Sequence, residues 1–221
     1  MLFILFIAWM FTVVWVARFR KRLKMNWLGV LIASCIHVAY GVFTVKAFAF
    51  LESGANEFGA MSIFGAVFFM PVLYFAGAKI TKRPLADVFD IFCICTLFTL
   101  MCSRFNCLYS GCCLGLYIPG LEIRYPTREL EIAYYLVLMV LMIPKVYQGK
   151  TGGEVYPLYM GSYGLFRLVI EFFRVSKSKY IFHLTHVWAV LALALGLSIY
   201  FEMKARRERS ERNNKKRRNQ L

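Results

Sequence analysis

Seven long apolar runs, separated by short polar segments, constrain this chain more than any other feature. They lie at about residues 2–17, 27–51, 60–80, 86–102, 132–144, 155–173 and 181–201. A helix needs roughly 20 apolar residues to cross the hydrocarbon core, fewer when its ends sit in the interface. Lipid offers no water to open backbone groups, so each run is predicted to be a helix. The first and fifth runs are the weakest. With 60% hydrophobic and 18% charged residues, the chain is too apolar for an ordinary soluble domain. The expectation is an all-α polytopic membrane bundle of about seven transmembrane helices.

The basic residues orient that bundle. Arg18, Arg20, Lys21, Arg22 and Lys24 follow the first run, Lys79, Lys82 and Arg83 the third, and Lys145 and Lys150 the fifth. The tail after the seventh run, KARRERSERNNKKRRNQL, carries nine basic and two acidic side chains, so it supplies seven of the formal net charge of +15. These segments alternate along the chain and share one side, which the positive-inside rule makes cytoplasmic. The N-terminus is then outside and the C-terminus inside. The first run has no charge before it and five after it, the reverse of a secretory signal, and reads as a retained anchor. Residues 1–203 form one membrane domain and 204–221 a basic cytoplasmic tail. The tail's neighbours are anionic lipid headgroups, or it is a solvated tail that fixes topology. No nucleic-acid motif is present.

The same alternation places Leu51–Ala60, Ser103–Leu130 and Val175–Tyr180 outside. The longest of these holds most of CSRFNCLYSGCCLG, residues 102–115, with four of the seven cysteines. Disulfides are permitted on that side. Adjacent Cys112 and Cys113 are poorly placed as two ligands of one tetrahedral zinc, and no histidine lies in the loop, so no metal is expected. The third reading is that the cysteines are small, half-polar residues packed around Arg104.

Charge inside the apolar runs carries the functional signal. In GSYGLFRLVIEFFR, Arg167, Glu171 and Arg174 recur at i, i+4 and i+7, on one helix face. A charged side chain at the bilayer centre costs on the order of 2.5–3.5 kcal/mol even on the mild insertion scale. An Arg167–Glu171 pair would answer part of that cost, and Arg174 can snorkel. Arg104 lies at the same depth, and arginines converging in a low-dielectric place suit a phosphate group. In YPTRELEIAYY, Pro126, Thr127 and Glu129 form a helix start, with Thr127 as the cap. Glu131, one turn further in, is less expected.

Taken in order, SRFNCLYSGCCLG, YPTRELE and FRLVIEFFR resemble the prolipoprotein diacylglyceryl transferases of bacterial plasma membranes, over roughly residues 37–200. The resemblance implies transfer of the diacylglyceryl group of phosphatidylglycerol to the lipobox cysteine of a preprolipoprotein, with no cofactor. Phosphatidylglycerol, preprolipoprotein signal peptides and membrane lipids are the implied partners. Arg104, Arg167 and Glu171 are implied in catalysis. Asn106, Gly111, Gly115, Glu131 and Arg174 are implied in binding, the glycines by letting backbone approach the headgroup. Three positions depart from the family pattern. Phe64 stands where a His-Gly-Gly histidine belongs, followed by Gly65 and Ala66; Cys107 replaces an asparagine, although Asn106 precedes it; and Cys112 replaces an acidic residue. His183, His186, Glu129 and Glu131 are the substitute bases, while His37 lies in the inner half of its helix. A silent relative that binds phospholipid or signal peptide, and a transferase with another acceptor, are the alternatives.

The orientation is tested by thiol labelling of intact cells. A cysteine introduced at Asn56 reacts with an impermeant reagent and one at Asn213 does not; labelling at Asn213 rejects the orientation.

Overall fold

A computed structural model describes residues 2–54, 61–149, 152–175 and 184–218, with side chains to Arg209 and at Arg212. Asn56, His183 and most of the segment 175–180 lie outside the described residues. Seven helices follow one another: α1 (Leu2–Arg18), α2 (Trp27–Glu52), α3 (Ile63–Ile80), α4 (Leu85–Ser110), α5 (Thr127–Gln148), α6 (Val155–Glu171) and α7 (Leu184–Arg218). Five of them, α2, α3, α4, α5 and α7, are long and apolar enough to cross a membrane, while α1 and α6 have 17 residues each. The all-helical membrane architecture read from the apolar runs is the observed one.

α4 is the central helix. It packs against α1, α3, α5 and α6, and 61% of its apolar window is buried inside the protein, against 22–39% in the other four. Its flanks are small or polar where neighbours crowd in: Cys93, Cys95 and Thr96 are all buried. Asp90, also buried, accepts from the backbone N–H groups of Gly153 and Val155 at 3.0 and 3.1 Å, which secures the free donors at the start of α6. At the same basic end Arg22 pairs with Asp87 and donates to the Val146 carbonyl at 2.5 Å, tying the α1–α2 connection to α4 and α5.

Three boundaries differ from the sequence reading. α4 runs eight residues past its apolar run, to Ser110, so Arg104, Asn106 and Cys107 stand on its last two turns. α6 stops at Glu171, and Arg174 lies beyond it in a segment held by backbone pairing: Leu116 donates to Phe173 at 2.8 Å and Val175 to Leu114 at 3.0 Å. The tail is helical to Arg218, and Arg207 reaches Glu154 at 3.0 Å.

Two helix pairs approach with almost no side chain between them. A Cβ at Gly196 of α7 would lie 2.2 Å from the Gly161 nitrogen of α6, and one at Gly164 would lie 2.4 Å from the Leu193 nitrogen. A Cβ at Gly65 of α3 would meet the Thr44 carbonyl of α2 at 2.1 Å. In lipid, where hydrocarbon on hydrocarbon gains little, such close approach supplies the dispersion contacts that hold helices together. Replacing Gly196 with valine forces α6 and α7 apart. We expect a loss of about 1–3 kcal/mol, the usual cost of overpacking, read as a lower unfolding midpoint in detergent; an unchanged midpoint contradicts this packing.

Candidate active site

Five charged side chains meet at the end of the bundle that carries the cysteine stretch. Glu131, 2% exposed, is at their centre. Its carboxylate pairs with Arg104 from α4, with Arg167 from α6 at 2.7 Å, and with Arg174 at 3.6 Å. Arg167 reaches Glu171 through its other terminal nitrogen at 2.7 Å, and Arg174 lies 3.7 Å from the same carboxylate. Arg167 therefore bridges two carboxylates with one planar fork, a geometry lysine lacks. Three arginines against two glutamates leave the cluster one positive charge in excess. Arg104, Glu131, Arg167 and Glu171 are all buried. The rings of Tyr135 and Tyr163, each 1% exposed or less, pack within electrostatic range of Arg104 and keep the surroundings apolar.

The local chain explains the convergence. α5 begins at Thr127, so Glu131 falls one turn into the helix and faces inward. Thr127 does not cap that helix: no side-chain cap is formed, and its hydroxyl donates to the Cys113 carbonyl at 3.2 Å, tying the loop to α5. Arg174 is placed by the pairing of its segment with Gly115. Gly115 is glycine because its own loop passes there; a Cβ would meet the Tyr125 carbonyl at 2.1 Å. The close backbone approach expected at Gly115 is thus made to Tyr125. Gly111 ends α4 in the left-handed conformation (φ 67°), on the exposed surface.

A cavity of about 850 Å³ opens beside the cluster, between α1, α2, α3 and α4. Its walls are chiefly apolar, with Leu5, Val42, Val45, Met70 and Leu100 among them. His37 and Thr96 also line it, as do Arg104, Asn106, Cys107, Cys112 and Cys113 from the end of α4 and the loop after it. Among the described residues Arg104 is the one member of the ion cluster that lines the cavity. A chiefly apolar chamber with a guanidinium in its wall suits an amphiphile with an anionic head.

Of the substitute bases, Glu131 is the hub of the ion cluster. His37 shares a hydrogen bond with the Tyr74 hydroxyl at 3.3 Å and stacks on that ring, in the buried core. His186 packs on Phe172 with centroids 5.0 Å apart. Glu129 is exposed and 3.9 Å from Arg128. Phe64 is buried between Phe68 and Tyr163, with centroids 6.0 and 5.7 Å away, and its own ring carries no titratable atom.

The structure places the cysteines where spacing alone did not. The thiols of Cys107, Cys112 and Cys113 lie within 4.8 Å of one another. The Arg104 guanidinium donates to Cys107 at 3.9 Å and to Cys113 at 3.7 Å, and the Ser110 hydroxyl donates to Cys112 at 3.2 Å. The hydrogen bond with Cys107, with the guanidiniums of Arg174 and Arg104 beside it, holds the Cys113 thiol well below its ordinary value.

The fold is a helical membrane bundle with an arginine-rich ion cluster beside an apolar chamber. Residues 4–202 match the family described as prolipoprotein diacylglyceryl transferase, and the chain belongs to that family. It is 21% identical over 232 residues to the phosphatidylglycerol–prolipoprotein diacylglyceryl transferase of Dehalococcoides mccartyi, a match covering 94% of this chain and 87% of that protein.

Glu131 holds three cations, so its loss exposes their mutual repulsion. Breaking a buried ion pair by removing one partner costs about 3–5 kcal/mol. Glu131→Gln keeps the shape and is expected to lower stability by that order in a detergent unfolding titration, more than Glu129→Gln does. Equal effects of the two would mean that Glu131 is not the hub.

Proposed function

We propose that this protein transfers the diacylglyceryl group of phosphatidylglycerol to the lipobox cysteine thiol of preprolipoproteins, in a bacterial plasma membrane. The observation that carries the reading is Arg104, which belongs both to the net-positive ion cluster and to the lining of the apolar chamber. The chamber takes the acyl chains, and Arg104 takes the phosphodiester. In the reaction a sulfur pair attacks the glycerol carbon, the carbon–oxygen bond breaks, and glycerol phosphate leaves. Charge grows on the phosphate as that bond breaks, so a fixed cation stabilises the transition state more than the bound lipid.

The other residues serve Arg104. Glu131 orients its guanidinium, and Arg167 and Arg174 prevent that carboxylate from cancelling all the positive charge. Glu171 fixes Arg167. Asn106, two residues further along the same helix end, borders the place of the glycerol headgroup. The signal peptide approaches along the cysteine end, where the lipid head lies.

A second reading, a silent relative that binds phospholipid or signal peptide, is favoured by Phe64, which puts no base where the family has a histidine. Incubating purified protein with labelled phosphatidylglycerol and a lipobox peptide separates the two, because a binder retains label without moving it. On the transferase reading Arg104→Ala lowers the transfer rate by about 10²–10³, the range for loss of one preorganised donor. Arg167→Lys fails to restore activity because one ammonium cannot bridge two carboxylates in the same geometry. Full transfer by Arg104→Ala sinks the proposal.

A further inference from the structure

Among the described residues Glu131 is held by three arginines and His37 by Tyr74, and the three cysteines at the edge of the site offer another route for the proton of the attacking thiol. We propose that Cys107, Cys112 and Cys113 bind one zinc ion whose fourth position takes the thiol of the incoming substrate cysteine. This inference rests on the transferase reading for the identity of that fourth ligand; the metal site itself stands on the cysteine geometry.

The three thiols already lie within 4.8 Å of one another. Tetrahedral zinc with Zn–S bonds near 2.3 Å needs sulfurs about 3.8 Å apart, so small side-chain rotations close the set. Adjacent cysteines ordinarily project apart, and the backbone here removes that obstacle. Gly111 turns the chain at the end of α4, and Cys113 itself is held at φ 58°, a conformation that L-residues other than Asn and Asp seldom adopt. That strain persists because the surroundings fix it: Thr127 holds the Cys113 carbonyl, and the next residues pair with 173–175. Packing around Arg104 asks nothing of the kind from a cysteine.

Arg104 already donates to two of the sulfurs, as an outer partner of a thiolate site would. All three cysteines line the chamber that the transferase reading assigns to the lipid. Catalytic zinc sites keep three protein ligands and one exchangeable position.

Coordination deprotonates a bound thiol. The substrate R–SH gives its proton to water at the chamber mouth and keeps the electron pair on sulfur. That pair forms the new C–S bond at the glycerol carbon. The C–O pair departs with glycerol phosphate, whose charge Arg104 receives, and the phosphate takes up a proton from water. Nothing is oxidised or reduced. The product thioether is neutral and a poor zinc ligand, so it leaves. No histidine is required.

The test uses the full-length protein purified in detergent under reducing conditions. Zinc content should be about one per chain. Replacement by Co²⁺ should give sulfur-to-metal charge-transfer bands that Cys113→Ala and Cys107→Ala remove and Cys35→Ser, on a distant face of α2, leaves intact. A lipobox peptide should shift the visible cobalt bands, while the same peptide with serine for cysteine should not. A metal-free protein that develops no such bands overturns the site, as does free-thiol titration showing two of the three paired in a disulfide. Bands that ignore the peptide thiol overturn the fourth-ligand assignment. A thiol-dependent shift without diacylglyceryl transfer upholds the metal site and rejects the transferase reading instead.

Discussion

The pairing of Glu131 with three arginines is the interaction on which the site depends. An isolated guanidinium in a low-dielectric interior is costly, and three of them side by side are prohibitive. One carboxylate between them makes the group tolerable, and the second, Glu171, fixes Arg167. The balance is incomplete by one charge, and that remainder is useful. On the proposed reading, full neutralisation would leave nothing for an anionic headgroup, while a larger excess would add repulsion inside the bundle. Of the three arginines, Arg104 is the one that borders the chamber.

The bundle serves to bring this arrangement about. α4, α5 and the end of α6 each deliver one or two members, and the loop from Gly111 to Pro126 delivers Arg174 by pairing with its segment. The glycine contacts at Gly164 and Gly196 draw α6 against α7 without intervening side chains. At the opposite end, Asp90 and Arg22 lock helix starts and connections far from the chemistry. Rigidity at one end and an open chamber at the other are thus separate features of the same seven helices.

Much of this was legible in the chain. Long apolar runs show up against alternating basic loops because membrane insertion demands both, and the helices follow. Arg167 and Glu171 stand out because charge inside such a run is expensive. What sequence concealed was chiefly spatial. Glu131 looked like a second acidic residue near a helix start, since nothing local says that three arginines from elsewhere meet it. Thr127 looked like a cap, because the alternative partner, the Cys113 carbonyl, belongs to a loop 14 residues away. The cysteines looked badly spaced for a common ligand, because a left-handed turn at a non-glycine residue cannot be anticipated from composition. Arg174 looked like a continuation of α6, because the backbone pairing that stops the helix is non-local.

The order of the cluster along the chain has a consequence for biogenesis. Arg104 is made and inserted with α4, before Glu131 exists, and Arg167, Glu171 and Arg174 follow later still. During that interval the nascent α4 carries an uncompensated cation, against a penalty on the order of 2.5–3.5 kcal/mol for a charge at mid-membrane. Its position on the last two turns of the helix, rather than the middle, lets the side chain stay near headgroup depth until α5 arrives. Sequential synthesis thereby sets where along the helix a charge of this kind is affordable.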